Sequence, residues 1–131
     1  MSCTSHSAEA ARYESIRTLA SETAPGVRFT IQKMSFGRRT ELLRRIRELT
    51  KKMEFLDAGQ DLGDRAEAAL LGREADRTYL EWGLVEVEGL EIDGQPAVPE
   101  SLIANGPEDL CREILRAIQA ECGLSAEERK N

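Results

Sequence analysis

The chain of 131 residues is typical in length of one domain, and it carries a net charge of −6. Hydrophobic residues make up 40% and charged residues 32%, a composition that supports one modest core and differs from that of a disordered chain. No apolar run reaches the ~20 residues of a membrane span, and no signal-peptide pattern follows Met1, so we expect a cytoplasmic protein.

The charge is distributed unevenly along the chain. Residues 28–52 contain nine basic and two acidic side chains, a net charge of +7, so the other residues together carry −13. Residues 81–109 contain eight acidic side chains and no Lys or Arg. Two interpretations are open. The two regions compensate each other within one molecule, or each faces a partner of opposite charge, which includes another copy of this chain.

Residues 1–26 are rich in Ser, Thr and Ala, a composition typical of a flexible or weakly helical arm. Three apolar residues at helical spacing allow a short helix near residues 8–21. Residues 27–32 then alternate apolar and polar side chains, and this alternation predicts a half-buried strand.

The clearest predicted helix begins after Ser35, a good N-cap residue, and ends near Gly59. Its apolar side chains recur at intervals of three and four residues, which places them on one face. This seam consists of Leu42, Ile46, Leu49, Met53 and Leu56. The opposite, basic face consists of Arg44, Arg47 and Lys51. Phe55 also falls on the polar side, and we expect it to be exposed unless another chain or the next helix covers it.

Residues 64–82 predict a second helix with two apolar faces. One face consists of Leu71, Ala75, Thr78 and Trp82, and the other of Leu62, Ala66, Leu70 and Leu80. Arg73 and Arg77 interrupt the second face, and Gly72 costs ~1 kcal/mol of helix propensity relative to alanine. We expect a helix with two apolar faces to lie between two neighbours.

The following segment predicts strands. Residues 85–88 and 90–92 alternate apolar and polar side chains, and Asp93-Gly94 is a strong tight-hairpin motif. Together with the strand at 27–32, these residues are expected to form a small antiparallel sheet. Residues 99–103 are compatible with one helical turn.

A last helix is predicted over residues 107–122. Asn105 or Gly106 is the expected cap, Pro107 fits the first helical position and Gly123 the stop. The broad apolar face of this helix consists of Leu110, Cys111, Ile114, Leu115, Ile118 and Cys122. The two cysteines on it lie ~16 Å apart by helix rise, so we interpret them as small core residues that neither bridge each other nor share a metal.

No catalytic or cofactor motif is found. The sequence contains no Gly-rich phosphate loop, no paired-cysteine metal spacing and no nucleophile elbow. Its single histidine, His6, lies in the N-terminal segment, so acid–base catalysis would rest on carboxylates alone. We therefore expect no enzyme activity, no catalytic or cofactor-binding residue and no metal site. A nucleic-acid-binding regulator that uses the basic helix 38–52 stays open, although the acidic balance of the chain argues against it.

Four stretches of the chain carry packing and turn motifs in a combination typical of one group of proteins. They are Gly26-Val27-Arg28-Phe29-Thr30-Ile31, Phe36-Gly37-Arg38-Arg39-Thr40-Glu41-Leu42, Trp82-Gly83-Leu84 leading into residues 89–97, and the closing helix at 107–122. In these stretches the chain resembles small tail-assembly proteins of long-tailed bacteriophages. The likeness covers about residues 26–131.

The resemblance implies a tail assembly chaperone. Such proteins bind the tape measure protein, recruit tail tube subunits in the bacterial host cytoplasm and are not expected in the mature virion. Many are made in short and long forms by programmed ribosomal frameshifting. Two features of this chain fit a short form: residues 125–128 form a capping box with only three residues after it, and Lys130-Asn131 is compatible with the slippery sequence A-AAA-AAC.

We therefore expect a mainly helical α+β fold, with two to three long helices and a small antiparallel β-sheet or hairpin. The expected organisation is an N-terminal arm over 1–26, one globular domain over 27–124 and a frayed tail over 125–131.

The expected function is non-enzymatic binding of a tape measure protein and a tail tube protein, with self-association open, no membrane partner and nucleic acid disfavoured. The alternatives are a nucleic-acid-binding regulator and a structural tail component of the virion. The residues expected to bind a partner are Arg38, Arg39, Arg44, Arg45, Arg47, Lys51, Phe55 and Trp82.

Overall fold

Four helices and two small antiparallel sheets make up the computed structural model, which describes residues 10–57 and 62–123. The elements in chain order are β1 (Ile16–Ala20), β2 (Arg28–Gln32), α1 (Phe36–Asp57), α2 (Leu62–Gly83), β3 (Leu84–Glu88), β4 (Glu91–Ile92), β5 (Gln95–Pro96), α3 (Pro99–Asn105) and α4 (Glu108–Glu121). The mainly helical α+β fold is confirmed. The expected stop at Gly59 and the expected tail at 125–131 lie outside the described residues.

The larger sheet has the strand order β1-β2-β3, with both pairs antiparallel. Its central strand β2 buries Phe29 and Ile31, as the alternation over 27–32 predicts. The register shifts between Thr30 and Ile31, where β3 holds one extra residue, Val85. The bulge turns Val85 outward, to 42% exposure, although the simple alternation of 85–88 would place it beside Val87 in the core.

The N-terminal strand β1 corrects the prediction for residues 1–26. The helix considered near residues 8–21 is wrong, because residues 16–20 pair with β2 in register from Ile16–Gln32 to Ala20–Arg28. A short connection that includes the bond from the Ser21 amide to the Val27 carbonyl (2.8 Å) brings the two strands together. The backbone hydrogen bonds with β2 stabilise this segment as a strand, whereas three apolar residues at helical spacing stabilise a short helix only weakly. Residues 1–9 lie outside the described part.

The smaller sheet is the hairpin of β4 and β5, which turns at Asp93-Gly94 as predicted. Both turn residues have positive φ (53° and 81°), the conformation that a two-residue hairpin requires. The expectation of one sheet that includes all strands of 85–98 is wrong in this respect: β3 pairs with β2, whereas β4 and β5 pair only with each other. The bond from the Ala97 amide to the Leu90 carbonyl closes the hairpin at 2.9 Å.

The core lies between the larger sheet, α4 and the C-terminal half of α2. Its completely buried residues on α3 and α4 are Leu102, Leu110, Ile114 and Ile118. Helix α4 begins at Glu108 and has Pro107 as its N-cap, so the prediction that Pro107 is the first helical residue is wrong by one position. Gly123, with φ of 76°, follows the helix and ends it as expected.

Helices α1 and α2 form an antiparallel hairpin that extends beyond the core. Gly83 lies against Ile118, and Arg73 pairs with Glu108 at the start of α4, so α2 and α4 run in the same direction. The eleven residues of α2 before Arg73 therefore extend past the beginning of α4. We call residues 50–57 and 62–72 the distal hairpin. None of the helices in the described ranges is long and apolar enough to cross a membrane.

Candidate protein-binding surface

The first two arginines of the predicted set are held inside the fold. Arg38 donates to the carbonyls of Ser15 (2.6 Å) and Lys33 (3.0 Å), which ties the start of α1 to the ends of β1 and β2. Arg39 donates to the carbonyl of Cys122 at the end of α4 (3.2 Å). These contacts give both side chains a structural role, because they join α1 to the sheet and to α4.

The other cations of α1 are exposed on its outer side. Arg45 pairs with Glu41, which lies four residues before it on the helix, at 2.9 Å, and both side chains are about half exposed. Arg44, Arg47 and Lys51 are exposed as expected for the face opposite the seam. Helix α1 has seven basic and four acidic residues, a net charge of +3, within a chain of net charge −6. This helix therefore presents a local positive surface.

The two aromatic residues of the predicted set have opposite environments. Phe55 is 79% exposed near the end of α1, as the sequence predicts. Trp82 is only 3% exposed and packs in the core with Leu84 and Ile118, so its assignment as a partner-binding residue is wrong. It lies at the end of α2, where the sheet and α4 both approach the helix. Core packing explains its size and position.

A surface cavity of about 420 Å³ lies between the two helices of the distal hairpin. It is lined by Lys51, Lys52, Phe55, Glu67 and Leu71. Leu71 belongs to the interface of α1 and α2 and is nearly buried, whereas Phe55 forms an open wall. The site thus combines an apolar surface with two ammonium groups and one carboxylate.

Sequence reasoning missed two exposed leucines of α2. It assigns Leu62 and Leu70 to a second buried face, but they are 77% and 53% exposed, and only Leu80 of that face is buried. The reason is that α4 covers the C-terminal half of α2 and not the distal hairpin. Leu43 on α1 is also 57% exposed. The charges of Arg73 and Arg77 within the predicted face were the one sequence feature that could have indicated its exposure.

A second groove of about 470 Å³ lies where α2 meets α3 and α4. Glu108 lies at this groove and pairs with Arg73 (3.4 Å) and Arg112 (2.9 Å). The Cys111 thiol also lines it and donates to the Leu102 carbonyl at 3.4 Å. Because the groove contains acidic and basic side chains in equal number, its charges do not favour a ligand of one sign.

Burial weakens the acidity of both described cysteines. Burial and then the nearby Glu108 carboxylate raise the pKa of the Cys111 thiol, and burial raises that of Cys122 to about 11. Both cysteines are free. A thiol with a raised pKa is a poor nucleophile at neutral pH, so neither residue has the electrostatics of a reactive cysteine. Within residues 10–57 and 62–123, no group of three His, Cys, Asp or Glu side chains is arranged to hold a metal ion.

The geometry thus favours the distal hairpin over the groove at Cys111 as a candidate surface for a protein partner. It combines exposed apolar side chains with the two ammonium groups of Lys51 and Lys52, and it projects from the core that the other elements form. Comparison with protein families, with curated proteins and with solved structures finds no match to this chain.

Proposed function

We propose that this chain is a non-enzymatic protein-binding factor in bacteriophage tail assembly, which chaperones the tape measure protein and recruits tail tube subunits. It acts in the cytoplasm of the bacterial host, without a cofactor, and leaves before the particle is complete. The observation that carries the proposal is the exposure of large apolar side chains on the hairpin of α1 and α2. These are Leu43, Phe55, Leu62 and Leu70, each more than half exposed.

A factor that holds a long, largely helical client needs apolar surface and complementary charge rather than a reactive centre. Large apolar side chains that are exposed on a helical hairpin can be covered by another helix that packs against them. The exposed cations Arg44, Arg47 and Lys51 lie on the same hairpin. Together, these features support a role in binding other polypeptides.

The resemblance to tail-assembly proteins supports the same function from a different part of the molecule. Its stretches coincide with β2, the start of α1, the junction of α2 with β3, the β4–β5 hairpin and α4. These elements form the base of the fold.

Co-expression tests the proposal. The tagged chain would be produced together with the tape measure protein encoded by the same phage, and the soluble fraction would be analysed by size-exclusion chromatography. We expect the tape measure protein to be soluble and to co-elute with the chain, and to aggregate when it is expressed alone. Failure of the two proteins to co-elute would contradict the proposal.

Two further measurements separate the alternatives. Mass spectrometry of purified particles should lack this chain, whereas a structural tail component would be present in stoichiometric amount. The exposed Arg44, Arg47 and Lys51 favour the nucleic-acid alternative. A gel-shift experiment at physiological salt tests it, because retention of DNA or RNA of any sequence would support a nucleic-acid-binding regulator instead.

A further inference from the structure

Phe55 and two lysines are neighbours on the surface of α1. Lys51 and Lys52 precede it by four and three residues, so the three side chains are neighbours on the helix. All three line the cavity of the distal hairpin together with Leu71 of α2. An aromatic ring that is 79% exposed leaves a large apolar area in water, and a partner that covers it would gain the free energy of that burial.

The charged side chains that line the cavity beside this ring are two lysines and one glutamate, a net charge of +1. Arg44 and Arg47 lie two to three turns before Phe55 on the exposed side of α1. Glu67 on the α2 side of the cavity is the acidic side chain in its lining. A partner that covers the ring therefore also meets two lysine ammonium groups, whose charges would be best compensated by carboxylates.

We infer that the distal hairpin binds an acidic amphipathic helix, whose apolar side chains pack on Phe55 and Leu71 and whose carboxylates pair with Lys51 and Lys52. The inference rests on the proposed function and names the chemistry of the client segment. The cavity lies between two antiparallel helices, and the side chains of a third helix, spaced three and four residues apart, fit such a groove. The partner is thus a helix with one apolar stripe bordered by Glu or Asp.

Binding of designed peptides to the chain tests directly whether the distal hairpin prefers an acidic amphipathic helix. The probe is a fluorescently labelled, designed helical peptide with leucines at three- and four-residue spacing and glutamates beside them. A second peptide has lysine in place of every glutamate. Fluorescence anisotropy with the full chain should show binding of the acidic peptide only, and the affinity should fall as salt is raised, because exposed charge pairs are screened.

Substitutions locate the site. Phe55→Ala should weaken binding of the acidic peptide by roughly tenfold or more, as is typical of an aromatic residue at the centre of an interface. Replacing Lys51 and Lys52 by alanine should weaken binding less and reduce its dependence on salt. The matched control is Phe36→Ala, because Phe36 is also an exposed phenylalanine of α1, at 94%, but lies at the opposite end of the helix. This control should leave binding unchanged.

Three results would overturn the inference. They are equal binding of the acidic and the basic peptide, equal effects of Phe55→Ala and Phe36→Ala, and tight binding of a single-stranded DNA probe that competes with the acidic peptide. The last result would assign the lysines to phosphate recognition, with the phenylalanine as a stacking surface. If the chain co-elutes with the tape measure protein and the Phe55→Ala variant still does so, the inference fails while the proposed function stands.

Discussion

Gly83 ends α2 at the point where the helix meets α4 most closely. A Cβ atom built on Gly83 would lie 2.8 Å from Cδ1 and from Cγ2 of Ile118, closer than such atoms approach in real proteins. Ile118 is completely buried, so it has little room to move away. The absence of a side chain at position 83 is therefore a packing requirement.

The substitution Gly83→Ala should destabilise the protein by about 1–3 kcal/mol, the usual cost of overpacking a filled core. Urea denaturation followed by circular dichroism measures the free energy of unfolding. The gain in helix propensity from alanine, up to ~1 kcal/mol, reduces the loss but should not cancel it.

Gly37→Ala is the matched control, because a Cβ atom at Gly37 meets no atom within 4 Å. Gly37 is the second residue of α1, so alanine there should leave stability unchanged or raise it slightly. Equal stabilities of the Gly83→Ala variant and the wild type would contradict a close contact between Gly83 and Ile118.

Exposure at single positions was partly predictable from the sequence. Phe55 stands among charged side chains on a helix with a well-defined seam, so its position on the polar side followed from periodicity alone. Trp82 could not be assigned in this way, because its stripe on α2 is apolar whether it faces the core or a partner. Only the packing of the sheet and α4 around the end of α2 decides that it is buried.

Glu113 on α4 holds the connection between β1 and β2. Its carboxylate accepts hydrogen bonds from the Ser21 hydroxyl (2.7 Å) and from the amides of Glu22 (2.8 Å) and Thr23 (3.3 Å). Partial burial by itself raises the pKa of the Glu113 carboxyl. The hydrogen bonds favour the carboxylate more strongly, and the net result is a pKa below the ordinary glutamate value.

This contact predicts a dependence of stability on pH. Because the pKa of Glu113 is lower in the folded than in the unfolded state, its contribution is present above the unfolded pKa of ~4.3 and is lost as the pH falls through the folded value. The Glu113→Gln variant should therefore melt at a lower temperature than the wild type near neutral pH. The difference should shrink as the pH falls below about 4, which calorimetry over a pH series measures.

The control for this series is Glu22→Gln, in the same connection. The amide of Glu22 contacts Glu113, but its own side chain is exposed, so the variant removes one negative charge without removing the contact. Its melting temperature should follow that of the wild type across the series. A Glu113→Gln variant whose deficit stays constant down to low pH would contradict the assignment of the effect to ionisation of this carboxyl.

Local motifs predicted some elements and not others. The Asp93-Gly94 turn was predictable, because two consecutive residues with positive φ suit this dipeptide and few others. Strand β1 was not predictable, because its five residues form a strand only through pairing with β2. The apolar side of α4 was predictable, since its apolar face is broad and Leu110, Ile114 and Ile118 share it, whereas the burial of Gln119 was not.

The whole molecule consists of a packed base and a two-helix projection. The base contains both sheets, α3, α4 and the C-terminal part of α2, and it includes most of the buried residues. Acidic residues of the segment 81–109 form ion pairs with Arg73, Arg77 and Arg112, which lie on α2 and α4. In these pairs, the negative charges are therefore compensated by arginines of α2 and α4 and not by those of the basic helix α1.

The rates of amide hydrogen exchange should differ between the base and the distal hairpin. Amides of β2 and α4 should exchange most slowly, because these elements bury the largest side chains. Amides of the distal hairpin should exchange faster, since the burial there is limited to Ala68 and Leu71 on the described part of α2. Mass spectrometry of peptides after timed exchange measures both. Equal protection of the distal hairpin and β2 in the free chain would contradict this division.

The sequence by itself determined the bounds of the long helices to within a few residues, the β4–β5 turn, the apolar face of α4 and the exposure of Phe55. It could do so because helical periodicity and turn chemistry depend on residues that are close together in the chain. Tertiary structure alone decided that residues 16–20 form a strand, that Trp82 is buried and that Leu62 and Leu70 are not. The physical reason is that a ladder or a buried face needs a neighbour, and whether α4 reaches a given turn of α2 depends on how the elements are arranged in space.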